Sequence, residues 1–130
     1  MLDTSVLISG IPDHIIDELG SYRSSTVCRG ELMQGLFSFQ ADPRRKAAAS
    51  QRHELIATLD DLPEFWLDFD RAASDGYGTL TARPRTAIRQ KDALIAAHAY
   101  AVGVPLLTED AGFSRFPDVE VVIVPSNRTP

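Results

Sequence analysis

Apolar residues in this chain come in short, largely unbroken runs set between longer stretches of helical spacing, and that alternation leaves few folds open. Residues 2–9 ("LDTSVLIS"), "EFWLDF" after Pro63, "LLT" and "VEVVIV" read as buried strands, because they are continuous and lack the polar–apolar alternation of a half-exposed sheet. Between them the spacing predicts helices. Asp13 opens a short one that Gly20 ends, and an extended piece follows over residues 23–27. Residues 29–40 place Leu32, Leu36 and Phe39 at four- and three-residue intervals, and Asp42-Pro43 starts a helix running to Leu59. Further helices are expected over 70–80, despite two glycines, and from Lys91 to Val102, where Gly103 and Pro105 end it. "ARPRTAIRQK" reads as a basic loop and Ser126–Pro130 as a tail. Strands alternating with helices predict an α/β domain with a mainly parallel central sheet covered on both faces. At 130 residues, without repeats or low-complexity segments, residues 1–130 are expected to form one domain burying roughly two-thirds of its unfolded surface.

Four acids stand where such a fold makes charge costly. Ligands of open α/β sheets bind beyond the carboxyl ends of the strands. Asp3 lies in the first apolar run, Glu31 beside Leu32, Asp92 at the head of the Ala-rich helix, and Asp110 just past "LLT". Three of them have ordinary explanations. Asp92 can cap its helix, Glu31 can face a helix N-terminus, and Asp110 can start a turn. Asp3 has none, since a carboxylate entering a core loses several kcal/mol of hydration unless something pairs with it. One divalent cation would account for all four: Mg²⁺ takes hard oxygen ligands and bridges a few carboxylates to substrate phosphates. Cys28 is the only cysteine, which excludes an internal disulfide and a cysteine-rich zinc site, and His14, His53 and His98 are scattered.

The net charge of −5 argues against nonspecific nucleic-acid binding, which relies on a positive field, but weighs less if a metal neutralises several clustered carboxylates. Locally the sign reverses, because Arg83, Arg85, Arg89 and Lys91 lead straight into Asp92. These residues are either a solvated loop or contacts to a phosphate backbone. Arg44, Arg45 and Lys46 are read as simple solvation. Phe37, Phe39, Phe65, Trp66 and Phe69 are read as core or interface residues. No apolar run approaches the ~20 residues of a spanning helix and no basic leader precedes the first run, so a cytoplasmic protein without membrane contact is expected.

The segments "LDTSVLI", "STVCRGELMQGL", "DALIAAHAYAVGVPLLTEDAGF" and "VEVV" together resemble the PIN-domain ribonucleases, specifically the VapC-type toxins of bacterial toxin–antitoxin pairs. They occur in that family's order and span nearly the whole chain. The resemblance implies a three-layer α/β/α domain and an RNA-cleaving activity. It also implies Mg²⁺ or Mn²⁺ held by Asp3, Glu31, Asp92 and Asp110, with Ser5 and Thr108 as polar supports. A cognate VapB-type antitoxin, a toxin homodimer and a toxin–antitoxin hetero-oligomer are implied as well. Where relatives often carry an acid or Asn before the Phe of the T-x-D-x-x-F stretch, this chain has Gly112, so a second ion held wholly by protein is not implied. A receiver-like phosphorelay domain is the rival from another class, but it would pair acids on the first strand and place a Lys near the last, and no Lys follows position 91. A catalytically inert PIN-like module is the other alternative.

Overall fold

The structure is a computed structural model that describes residues 1–82 and 89–125. Its centre is a parallel sheet of very short strands: β1 (Ser24–Ser25), β2 (Trp66–Leu67), β3 (Leu106–Thr108) and β4 (Val121–Ile123). β1 pairs with β2, and β3 with β4. Leu2 joins the two halves, bridging Ser24 on one side and Leu107 on the other, both in parallel. The order across the sheet is therefore β2, β1, Leu2, β3, β4. The Leu2 N–H donates to the Arg23 carbonyl at 2.8 Å and the Asp3 N–H to the Leu107 carbonyl at 2.9 Å.

Around the sheet lie α1 (Thr4–Ser9), α2 (Asp13–Ile16), α3 (Thr26–Gln40), α4 (Lys46–Asp60), α5 (Arg71–Thr81) and α6 (Gln90–Val102). Single 3₁₀ turns occupy Leu19–Ser21, Pro43–Arg45 and Ala111–Arg115. Consecutive strand residues point to opposite faces, and the two cores divide accordingly. Leu2 and Leu107 pack with Val6, Leu7, Leu32, Leu36, Ile56 and Leu59 from α1, α3 and α4. Met1 and Leu106 pack on the other side with Leu80, Ile95 and the alanines of α6, and with Phe113 and Phe116. Helices thus cover both faces, giving the three-layer α/β/α arrangement.

The first apolar run is corrected. It contributes one sheet residue, Leu2, and then turns into α1. Asp3 is the extended residue before that helix, and its carbonyl accepts from the Val6 and Leu7 N–H groups. A short continuous apolar run suits a buried helix as well as a strand, and here Val6 and Leu7 are buried by the helix while Ile8 stays largely exposed. The other strands are shorter than their apolar runs suggest. The helix expected over 13–19 is a single turn followed by a 3₁₀ turn. The remaining helices fall close to expectation. Ser25 caps α3 by accepting from the Val27 N–H, Asp70 caps α5 by accepting from the Ala73 N–H, and Gly103 ends α6 in the left-handed region at φ +78°.

Phe65 is core, Trp66 and Phe69 are half-buried, and Phe37 is 59% exposed. Phe39 lies under two cations, with Arg45 4.4 Å and Arg52 5.3 Å from its ring centre. Arg45 therefore stacks on a ring, whereas Arg44 bonds Asp42 at the surface. Among the described residues no helix is long and apolar enough to cross a membrane. Arg83 and Arg85 of the basic stretch lie outside the described residues, as does the tail at 126–130.

Candidate active site

Asp3 is 5% exposed, and the protein supplies what its burial requires. Its Oδ2 accepts two hydrogen bonds, from the Ser5 and Thr108 hydroxyls, each at 2.8 Å. Among the described residues its Oδ1 accepts none. Both hydroxyls work twice: Ser5 Oγ accepts the Glu109 N–H and Thr108 Oγ1 the Asp110 N–H, each at 3.0 Å. The start of α1 is thereby laced to the loop after β3, and the aspartate's donors are locked by backbone. Both hydroxyls therefore hold Asp3 in place by hydrogen bonds.

The other three acids come from separate elements. Glu31 lies in the middle of α3, not in its first turn, and its Oε1 accepts from the Thr4 hydroxyl at 2.8 Å. Asp92 is in the first turn of α6, where Arg89 and not Asp92 is the capping residue. Asp110 precedes the 3₁₀ turn at Ala111–Arg115, and its Oδ1 accepts the Gly112 N–H at 2.8 Å. Asp110 therefore does start a turn, as its simplest reading has it. A Cβ on Gly112 would stand 3.0 Å from that same Oδ1, so the residue that replaces a frequent acid also gives Asp110 close backbone access.

Asp92 registers the company these acids keep. Burial first, then the charges of Asp110 and Asp3, and also that of Glu31, push its carboxyl above the ordinary range, while Arg89 pulls the other way. The four carboxylates share one electrostatic neighbourhood at the ends of the central strands. They do not close on one point: among the described residues no three His, Cys, Asp or Glu side chains form a group that could hold a metal ion. The donor set of carboxylates and hydroxyls nevertheless fits a hard divalent cation, which needs few protein ligands because it retains waters and takes substrate oxygens. Cys28 sits below the site, its thiol pushed up to about 11 mainly by burial, and behaves as core.

Two hydrogen bonds were not evident in the sequence. Thr4 steadies Glu31, and Glu109 accepts from the Ser9 hydroxyl, tying the end of α1 to the same loop. Thr4 and Ser9 belong to the run read as a strand, and only its helical geometry turns them toward these acids. On the rim, Lys91 is exposed and donates to Gln34 Oε1 at 3.3 Å, and Arg89 is close enough to act on Asp92.

A family model for the PIN domain matches residues 1–119. Ribonuclease VapC4 of Mycobacterium tuberculosis is 30% identical over 103 residues, covering 77% of this chain and 75% of that protein. Among solved structures, VapBC2 of Rickettsia felis bound to a promoter DNA fragment superposes with a TM-score of 0.71 at 21% identity, over 95% of this chain and 96% of that one. VapBC-1 of nontypeable Haemophilus influenzae superposes with a TM-score of 0.69 at 24% identity, over the same shares. The receiver-like alternative falls with these matches, and the chain belongs to the PIN-domain family, among its VapC-type members.

Proposed function

We propose that this chain is a metal-dependent endoribonuclease, the toxin of a VapBC-type pair, which hydrolyses RNA phosphodiester bonds with Mg²⁺ or Mn²⁺ held by Asp3, Glu31, Asp92 and Asp110. The observation that carries the reading is that Asp3, Glu31 and Asp110, from separate parts of the chain, all stand near enough to Asp92 to raise its carboxyl together with burial, beside the paired hydroxyls that hold buried Asp3. The name of the mycobacterial relative, a ribonuclease, supports the reaction, and solved neighbours described as toxin–antitoxin complexes support a VapB-type antitoxin as partner. When bound, the divalent ion supplies Lewis-acid stabilisation of phosphoryl charge and lowers the pKa of a coordinated water.

The chain's own residues do the rest. Ser5 and Thr108 fix one oxygen of Asp3, which would then be one of the acids holding the ion. Thr4 orients Glu31 in the same way. Asp92 and Asp110 bring the charge that makes a cation welcome. Arg83, Arg85, Arg89 and Lys91 are proposed to hold the RNA backbone beside the acids, so that the substrate is positioned without its sequence being read. No side chain is assigned as a separate general base. Exposed apolar side chains such as Phe37 on α3, and separately Val122 and Ile123 on the edge strand β4, are candidate contacts for the proposed homodimer and toxin–antitoxin hetero-oligomer, which would act in the cytoplasm.

The test is total cellular RNA incubated with the protein in Mg²⁺, Mn²⁺ or EDTA, with wild type compared against Asp3→Asn by mapping 5′ ends. Discrete cuts that need metal and vanish in the variant are expected. Absence of cuts with every metal would leave an inert PIN-like module.

A further inference from the structure

We propose that His98 is a positioning residue for the carboxylate site, fixing α6 and its Asp92 against the start of α3, which carries Glu31, through a hydrogen bond to the Ser25 hydroxyl. The proposal rests on the nuclease reading of those acids. His98 is 2% exposed, and its Nδ1 lies 2.8 Å from Ser25 Oγ. Ser25 Oγ already accepts the Val27 N–H at 3.0 Å as the cap of α3. With either tautomer of the ring, one hydroxyl both caps α3 and ties it to α6. Burial keeps the ring neutral by lowering its pKa, against the pull of Asp70 and Asp68. The edge of Phe69 closes the slot, with ring centres 5.5 Å apart, and the Phe69 N–H reaches Thr26 Oγ1 at 3.3 Å.

The register of the two helices gives this bond its importance. His98 meets Ser25 near one end, and Lys91 meets Gln34 toward the other, so α3 and α6 run in opposite senses. Asp92 and Glu31 fall between the two ties. Each stands six residues from the buried one, about 9 Å along its helix. The Lys91–Gln34 contact is exposed and long for a firm hydrogen bond. Beside the packing of Cys28 and Val27 with the α6 residues, the buried His98–Ser25 bond is the firmer of the two polar ties between the helices, and ligand oxygens on separate helices must be held to within about 0.5 Å.

Three variants test this: His98→Leu, which keeps bulk without the bond; His98→Asn, which keeps a polar atom near Nδ1; and Ser25→Ala. Each is assayed well below its melting temperature for Mn²⁺ binding in the absence of RNA, by the electron paramagnetic resonance of free Mn²⁺, and for kcat and KM on RNA. His98→Leu and Ser25→Ala are expected to weaken Mn²⁺ binding and lower kcat by about 10-fold or more with KM unchanged, while His98→Asn recovers to within about threefold. The double variant should be no worse than the poorer single one, because both remove the same link. A folded His98→Leu or Ser25→Ala protein with wild-type Mn²⁺ binding and kcat overturns the positioning role alone. Wild-type protein that neither binds Mn²⁺ nor cuts RNA overturns the nuclease reading and this proposal with it.

Discussion

Asp92 is the residue at which stability and proposed function pull in opposite directions. Burial and the neighbouring charges of Asp110, Asp3 and Glu31 hold its carboxyl above the ordinary range, so its ionised form opposes folding when no cation is present. Asp92→Asn removes that charge and keeps the shape. The metal-free variant should melt at the wild-type temperature or roughly 1–4 °C above it, while metal-dependent cleavage falls by about 100-fold. Because the folded pKa is raised, the variant's advantage is complete above that pKa and fades to nothing as pH falls to the ordinary carboxyl value of 3.8. Melting curves across pH check the sign, and a clear loss of stability at neutral pH would contradict it. Thr108 poses the complementary case. Thr108→Val keeps the volume but takes a donor from buried Asp3 and an acceptor from the Asp110 N–H. A loss of about 1–3 kcal/mol in denaturant unfolding is expected, with Thr108→Ser recovering most of it.

Among the elements, α5 and α6 pack most intimately, and Gly76 is the reason. A Cβ at Gly76 would stand 2.8 Å from the Ala97 carbonyl oxygen and 3.4 Å from the Tyr100 ring, a distance backbone cannot accommodate without the helices moving apart. Gly76→Ala should therefore cost about 1–3 kcal/mol although alanine is the better helix former. Equilibrium unfolding in urea measures it, and a neutral or stabilising result would show that the helices separate freely. Gly76 weakened the sequence expectation for this helix, yet it is what lets the helix dock. The helices at 29–40, 70–80 and 91–102 were readable because spacing, capping Asp70 and terminal Gly103 all agree. The run at 2–9 was not, because Leu, Val and Ile in unbroken series satisfy a buried strand and a buried helix equally. That one ambiguity hid the hydrogen bonds of Thr4 and Ser9, whereas Asp3 stood out as a carboxylate in a buried run, and Ser5 and Thr108 came from the family pattern, which does not depend on the local geometry. Asp92 and Glu31 lie 61 positions apart, and no local spacing announces that α6 and α3 bring them together.

For the molecule as a whole, a net charge of −5 has to be reconciled with a polyanionic substrate. A diffuse positive field is ruled out by that total, so attraction must come from a local run of cations acting within about a Debye length of 8 Å. Arg83, Arg85, Arg89 and Lys91 form a run of cations that ends directly at a site acid, Asp92. Arg44 lies in the 3₁₀ turn before α4 and Lys46 at its start, and Arg44 bonds Asp42, whose carboxyl is held below the usual range by that guanidinium. Replacing Arg83, Arg85 and Arg89 together with alanine should therefore weaken binding to single-stranded RNA. The slope of log K against log salt should also fall by about 2, at roughly 0.7 for each phosphate no longer neutralised. Binding would be measured with Asp3→Asn in the background, so that RNA is not cut during the titration. The control, Arg44→Ala with Lys46→Ala, should leave the slope within about 0.5 of wild type. An unchanged slope in the triple variant would place the RNA elsewhere and return the basic run to solvation. A reduced slope would explain how an acidic protein holds an anion, with the attraction confined to one edge of the acid cluster and a bound cation offsetting the carboxylates themselves.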